Sequence, residues 1–368
     1  MLEITRPTLL VDEIKCKRNL SRMTEKARRL GKVLVPHMKT AQSLAMGDWY
    51  KEVGVEQITV SSMRMAAYFA GGGWTDITVA FPVNVLEAKA INHLLRKGVD
   101  LKLFISNEES VKLLDEKLNA KAKVLIELDA GYNRTGVDTE NLEKISNLAK
   151  AIQNSQHLEL YGLYCHPGNT YHSNSHDEIR DIWARAIEKI VKVKQALLPD
   201  FPGLKLRMGD TPGCTVVEAL DGVDELSAGN YIFYDLVMNY LNVCDESDIG
   251  IALAVPVVDK YPERGEVIVH GGAVHLSKDH LFDQNEQKFF GEIVILEEEG
   301  WSPIIQGMRV KSLSQEHGII SATPEQLETI QVGDVLGVLP IHSCLTANLM
   351  KSYKTFEGRG LDHLENVE

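Results

Sequence analysis

Lys39 stands two residues after His37, in a polar turn that follows the apolar run Val33-Leu34-Val35 and Pro36. A lysine amine at the carboxyl end of a strand, where barrel enzymes keep their reactive groups, is suited to Schiff-base formation with a carbonyl. Four further strand ends are polar where a plain turn would need no such residues. Asp129-Ala130-Gly131-Tyr132-Asn133-Arg134-Thr135-Gly136 leaves an apolar strand and returns through two glycines, so the backbone can fold tightly while Arg134 is aimed inward. Tyr164-Cys165-His166-Pro167-Gly168-Asn169-Thr170-Tyr171-His172 packs two tyrosines and two histidines around one strand end. Gly209-Asp210-Thr211-Pro212-Gly213-Cys214-Thr215 sets small and hydroxyl-bearing residues before a helix start, where backbone N–H groups suit a phosphate; Gly229-Asn230-Tyr231 offers another backbone donor. His342 and Cys344, expected in an extended segment, project to one side, and imidazole with thiolate suits zinc. No neighbouring Cys or His pair completes a four-ligand structural site, so a metal held here is open to water or substrate. Taken singly, each feature has a plain structural reading: a surface lysine, a hydrogen-bonded histidine, a buried thiol.

These residues need a scaffold that brings strand ends together. From Thr8 to about Asn230, short apolar strands alternate with amphipathic helices: strands at 8–11, 33–35, 57–60, 76–80, 101–105, 124–128, 158–164 and 204–208, with Asp12 a cap for the first helix. About eight strand–helix units in roughly 230 residues is the count and length of a parallel (β/α)8 barrel, and the Gly-rich phosphate turn of a doubly wound sheet is missing after the first strand. After Cys244 the texture changes to strands at 251–258, 266–270, 289–296, 308–313, 318–321 and 335–339, separated by Gly, Pro and Asn/Asp turns. The expectation is an α/β chain with a barrel over 8–234 and a β-rich domain over 235–368, which residues 1–7 can join.

Composition narrows the partners. With 368 residues, 44% of them hydrophobic, the chain can bury a full core, and a formal charge of -13 argues against a nucleic-acid surface. No apolar run reaches the roughly 18 residues that span a bilayer, and the start lacks the apolar core of a signal peptide. Five scattered cysteines without a CxxC pair read as reduced thiols, hence a cytoplasmic location.

With these residues assembled, the chain resembles the fold-type III pyridoxal-phosphate enzymes that include eukaryotic-type D-serine dehydratases and metal-activated D-threonine aldolases, distant relatives of alanine racemase. The matching pieces are Pro36-His37-Met38-Lys39-Thr40, Glu127-Leu128-Asp129 through Arg134-Thr135-Gly136-Val137, His166 with Gly168 to Tyr171, Glu225-Leu226 with Gly229-Asn230-Tyr231, Ser314-Gln315-Glu316-His317-Gly318, and His342-Ser343-Cys344. The family often has Arg before Pro-His and His after Lys-Thr, where this chain has Val35 and Ala41. The resemblance implies that Lys39 carries pyridoxal 5'-phosphate, that Arg134 reaches the cofactor's phenolic oxygen, and that Tyr164, His166 and Tyr171 pack by its ring. It implies a phosphate held by Thr211, Pro212, Gly213, Cys214, Gly229, Asn230 and Tyr231. Lys39, His37, Arg134 and His166 form the expected catalytic set. His342 and Cys344 are implied to bind a divalent metal, zinc in the first place and manganese in the second, which the substrate's β-hydroxyl completes. The implied reaction is dehydration of D-serine to pyruvate and ammonia, since dehydratases of this family look like His-x-Cys and its aldolases like His-x-Asp. The alternatives are retro-aldol cleavage of D-threonine, then an amino-acid racemase, then a non-catalytic pyridoxal-phosphate carrier. Racemisation would need a second base on the opposite face, and carriers of this kind lack a β-domain. A homodimer with a small D-amino acid as substrate is expected, with neither nucleic acid nor membrane as partner.

Overall fold

The computed structural model describes residues 2–366. The chain divides into two compact units: one comprises Arg22–Lys39 and Tyr50–Gly229, the other the residues up to Ser21, Thr40–Trp49 and those from Asn230 on.

In the first unit the parallel strands Val33–Leu34, Glu225–Leu226, Lys205–Met208, Leu158–Cys165, Ala122–Asp129, Asp100–Ile105, Asp76–Pro82 and Gln57–Val60 neighbour one another in that order. A parallel bridge between His37 and Thr59 links the two ends, so the strands are nearly closed into a barrel. Parallel neighbours need crossover connections, and the helices supply them. Four of these helices begin where the sequence offers a cap: Ser62, Asn107, Asn141 and Ser175 each accept the N–H three residues on. Inside, Phe104, Leu125 and Tyr164 pack as an apolar cluster. Beside such groups lies a fully buried Arg207, which donates to Glu225 at 2.6 Å and to the Thr78 hydroxyl at 2.7 Å, while Tyr161 also donates to Glu225. A pair of this kind persists because each charge is partnered; removing one partner costs about 3–5 kcal/mol.

The second unit is built on antiparallel pairing. Ile251–Tyr261, Val335–Pro340, Gly291–Glu297, Arg309–Leu313, His317–Ser321 and Glu266–His270 pair in sequence around a ring, and the last returns to the first. One long strand serves both ends of the ring: residues 253–256 pair with Val335–Pro340, and after a bulge between Val257 and Asp259 the strand continues along Glu266–His270. Its core includes Leu236, Ile249, Ala252, Phe289, Val294, Leu339 and Ile341.

The strand at Thr8–Val11 departs from expectation. It does not open the parallel barrel. It lies in the antiparallel sheet, with Ile251–Tyr261 on one side and Tyr353–Thr355 on the other. Leu9, Leu10 and Val11 are all buried, and a strand covered on both faces shows the same unbroken apolar run in either kind of sheet. The eighth barrel strand is Glu225–Leu226 instead. Among the described residues, no helix is long and apolar enough to cross a membrane.

Candidate active site

The lysine turn is fixed by strands on both sides. Val35 and His37 donate their N–H groups to the carbonyls of Leu226 and Ala228, Thr59 donates to Pro36, and Met38 donates to Thr59. Lys39 follows in the turn, exposed at the carboxyl end of the barrel strand. Its N–H lies 3.4 Å from His37 Nδ1. Burial, followed by the charges of Lys39, His166 and Arg134, holds the His37 ring well below the ordinary histidine range. His166 is also kept neutral, at about 3, by burial and then by Arg134. Its Nδ1 faces the Gly209 carbonyl. A carbonyl only accepts, so the His166 proton sits on Nδ1 and Nε2 is bare.

Arg134 is carried by a loop whose shape is set by Asp129, which accepts N–H bonds from Gly131, Tyr132 and Asn133. Gly131 and Gly136 have φ of 121° and 109°, so both glycines read from the sequence are used as such. The guanidinium sits 5.6 Å from the Tyr132 ring centroid, and its charge is felt by both histidines. Tyr164 is buried against Phe104 at 4.2 Å between ring centroids, and burial raises its hydroxyl pKa. Tyr171 lies 6.3 Å from His166, and its hydroxyl accepts the Thr211 N–H at 3.3 Å.

That last bond alters the expected phosphate loop. Asp210 caps the helix Thr211–Val216 and accepts the Gly213 N–H at 2.6 Å; Cys214 N–H bonds the Asp210 carbonyl, and Pro212 has none to give. The backbone donors of Thr211 to Cys214 are thus engaged inside the unit. The buried Thr211 hydroxyl is without a hydrogen-bond partner, and it is the group this segment leaves for an anionic oxygen. Asp210 also accepts from Trp183 at 2.7 Å and Thr170 at 3.0 Å, and burial lifts it to about 7 against the pull of these donors. Gly229 ends the barrel unit, whereas Asn230 and Tyr231 are buried in the other.

In that second unit the Asn230 side chain serves the thiol. Its Nδ2 donates to Asp235 at 2.6 Å and lies 3.8 Å from Cys344 Sγ. Thr40, next in sequence after Lys39, places its hydroxyl 3.3 Å from the same sulfur. His342 and Cys344 do meet, but by another geometry than expected. His342 is the extended N-cap residue of the helix Ser343–Met350 and Cys344 is in its first turn, so a helix start, not strand alternation, joins them. Burial depresses His342, but its bond to Cys344, the charges of Cys344 and Asp235, and its bond to Asp279 outweigh it and push the ring up to about 10. The acidic groups around His342 make this a spot that favours a cation. Asp279 Oδ2 lies 2.9 Å from His342 Nδ1.

The same unit brings His270, His275 and Glu316 together, their donor atoms within 4.8 Å of one another. His275 Nδ1, however, accepts the Gly272 N–H at 3.1 Å, so its neutral ring carries the proton on Nε2, which faces Glu316 at 3.8 Å. This trio is wired as donors and acceptors, not as three bare ligands.

Sequence reasoning missed Asp210, Asp235 and Asp279: Asp210 and Asp235 cap the helices that follow them, a spacing that was open to reading, whereas no spacing announces Asp279 as the partner of His342. Glu127 had a signal: a lone acid in an apolar strand. It is buried and accepts from Thr135 at 2.7 Å, its second oxygen lacks a partner, and burial raises its pKa.

The neutral histidines make a pH prediction. Between about 3 and the ordinary value of 6.5, the unfolded chain binds a proton at His166 that the folded chain excludes. Stability therefore falls as pH is lowered through that window. His166→Asn is expected to lose less of its urea midpoint between pH 7 and pH 4.5 than wild type; an equal loss would show that His166 does not contribute.

Residues 11–237 match the family described as "Alanine racemase, N-terminal domain", and residues 251–356 that described as "Putative serine dehydratase domain". D-threo-3-hydroxyaspartate dehydratase of Delftia sp. (strain HT23) is 26% identical over 370 residues, covering 98% of this chain and 96% of that protein. Its solved structure superposes with a TM-score of 0.91 at 25% identity, covering 98% of this chain and 97% of that one, and a variant of it was solved in a metal-free form. D-serine dehydratase of Dictyostelium discoideum is 27% identical, with 94% and 92% of the two chains covered. D-threonine aldolase from Filomicrobium marinum, at 20% identity and a TM-score of 0.83 over 97% and 94% of the chains, shares the fold.

Proposed function

Because the chain belongs to the alanine racemase N-terminal domain family, we propose that it is a pyridoxal-phosphate- and divalent-metal-dependent lyase of D-β-hydroxy amino acids, a D-serine dehydratase. The observation that carries this reading is the pairing of His342 with Cys344: a racemase or a carrier protein has no use for a metal at a substrate hydroxyl.

Both absent groups fit the residues present. Toward pyridoxal phosphate the chain offers Lys39 Nζ for attachment, the unpartnered Thr211 hydroxyl for a phosphate oxygen, Arg134 for the phenolic oxygen, and His166 and Tyr164 for the ring. Toward a cation, zinc or manganese, it offers an imidazole nitrogen and a thiolate, a borderline-soft set that leaves positions open. Bound pyridoxal phosphate supplies an electron sink at the substrate's Cα, and a bound cation supplies Lewis acidity at the β-hydroxyl.

The chain's own residues do the rest. Lys39 Nζ, once no longer attached to the cofactor, would accept the Cα proton. Neutral His37 and His166 add no charge that would compete with this amine for the proton. His166 Nε2, bare because Nδ1 is tied to Gly209, is an acceptor at the same strand ends. Loss of the Cα proton and of the β-hydroxyl amounts to loss of water, and the 2-aminoacrylate released hydrolyses to pyruvate and ammonia. The five cysteines are free and buried, in keeping with a reducing cytoplasm. The proposed assembly is a homodimer.

Incubation of the purified protein with D-serine, D-threo-3-hydroxyaspartate and D-threonine tests the reading. Oxo acid and ammonia from D-serine are expected. Glycine and an aldehyde from D-threonine, without oxo acid from D-serine, would replace the dehydratase by an aldolase.

A further inference from the structure

We propose that Asp279 is the positioning residue of the metal centre: its carboxylate fixes the His342 ring so that Nε2 is the ligand atom. The inference rests on reading His342 and Cys344 as metal ligands and goes beyond it in assigning what holds the histidine.

The two ligands are supported very differently. Cys344 is buried, with the Thr40 hydroxyl at 3.3 Å and the Asn230 amide at 3.8 Å. Asn230 is in turn held by Asp235, which also accepts the Ser343 N–H at 3.0 Å. The sulfur is therefore placed by the core of the unit. His342 makes no side-chain capping bond to the helix it precedes, and its side chain is 39% exposed. Its Nδ1 is met by Asp279, 63 residues away in sequence, at 2.9 Å.

A carboxylate only accepts, so the proton on Nδ1 is held by Asp279 and that nitrogen is closed to a metal; Nε2 is the nitrogen from which a metal would displace the remaining proton. This carboxylate–imidazole arrangement both orients a metal-bound histidine and raises its basicity. The contrast with His275 is direct, since there Nδ1 accepts a backbone N–H and the opposite nitrogen is protonated. Asp279 is itself held locally, its N–H lying 3.1 Å from the Ser277 hydroxyl, where Ser277 takes the left-handed φ of 71°. The Asp279 side chain is 48% exposed, so the pair contributes little to folding and its removal reports on the metal rather than on stability.

The test measures metal affinity on protein that retains its pyridoxal phosphate. After metal removal, wild type titrated with Co(II) should develop a thiolate-to-cobalt charge-transfer band, and zinc affinity follows from competition with a chelator. Asp279→Ala is expected to weaken zinc about 10–100-fold with an unchanged urea midpoint. Asp279→Asn, whose amide oxygen still accepts, should weaken it less, and Asp279→Glu should restore most of the affinity. Wild-type affinity in Asp279→Ala would overturn the positioning role while leaving the metal pair standing. Absence of the cobalt band in wild type, or His342→Ala binding zinc as tightly as wild type, would overturn the metal reading and this inference with it.

Discussion

Protein carrying Lys39→Ala is expected to lose the near-visible absorbance of bound pyridoxal phosphate and to turn over D-serine at least about 10³-fold more slowly than wild type, because one amine serves both as attachment and as proton acceptor. The turn that holds Lys39 is pinned by main-chain bonds to the barrel strands on either side, none of which involves the lysine side chain. The variant should therefore fold as wild type does, and a matching circular dichroism spectrum and urea midpoint would check this. Absorbance retained in Lys39→Ala would remove Lys39 from the centre of the chemistry. A colourless wild type, still without the band after incubation with pyridoxal phosphate, would remove the cofactor as well.

The second large effect concerns the metal pair. Chelation of wild type should leave the near-visible band in place and lower D-serine turnover by about 10²–10³-fold, the equivalent of the several kcal/mol that a Lewis acid contributes at a leaving oxygen. Zinc should restore the chelated wild type. Cys344→Ser and His342→Ala should show the same loss without restoration at the zinc concentration that rescues wild type. Cys344→Ser keeps a hydroxyl near the Thr40 and Asn230 partners, so it removes the soft ligand with little change in volume. Full activity after verified metal removal would eliminate the Lewis-acid role.

The barrel was legible where strands are apolar and helices are capped by residues of the right kind. It was illegible at two places for opposite reasons. Leu9, Leu10 and Val11 are so completely buried that nothing in their pattern distinguishes a barrel strand from the middle of an antiparallel sheet. Glu225–Leu226 is so short, and so marked by an acid, that it did not read as a strand; the acid is tolerated because Arg207 and Tyr161 meet it inside the barrel. The candidate site shows a similar division. Residue types at strand ends exposed Lys39, Arg134 and His166, and a spacing of two exposed His342 with Cys344. The hydrogen bonds that decide what these groups can do were not legible: one is a local helix cap over three residues that the sequence does not tell apart from a free helix start, and the others join residues far apart in sequence. Asp210 engages the Gly213 N–H that seemed available to a phosphate, Asn230 turns its amide toward a thiol, and Asp279 reaches His342 across 63 residues.

The place of Thr8–Val11 also bears on how the polypeptide acquires its structure. It must wait for the distant segments Ile251–Tyr261 and Tyr353–Thr355 before its own main-chain groups are matched. Pairings across so many residues are slow to form. A fragment beginning near residue 235 would present two unsatisfied strand edges facing an empty slot, the kind of template on which chains stack. Such a fragment would be restored by a peptide spanning residues 2–12 more readily than by any change to its own surface. The unit that contains His342 and Cys344 is, in this sense, completed by a strand that precedes the whole barrel in sequence.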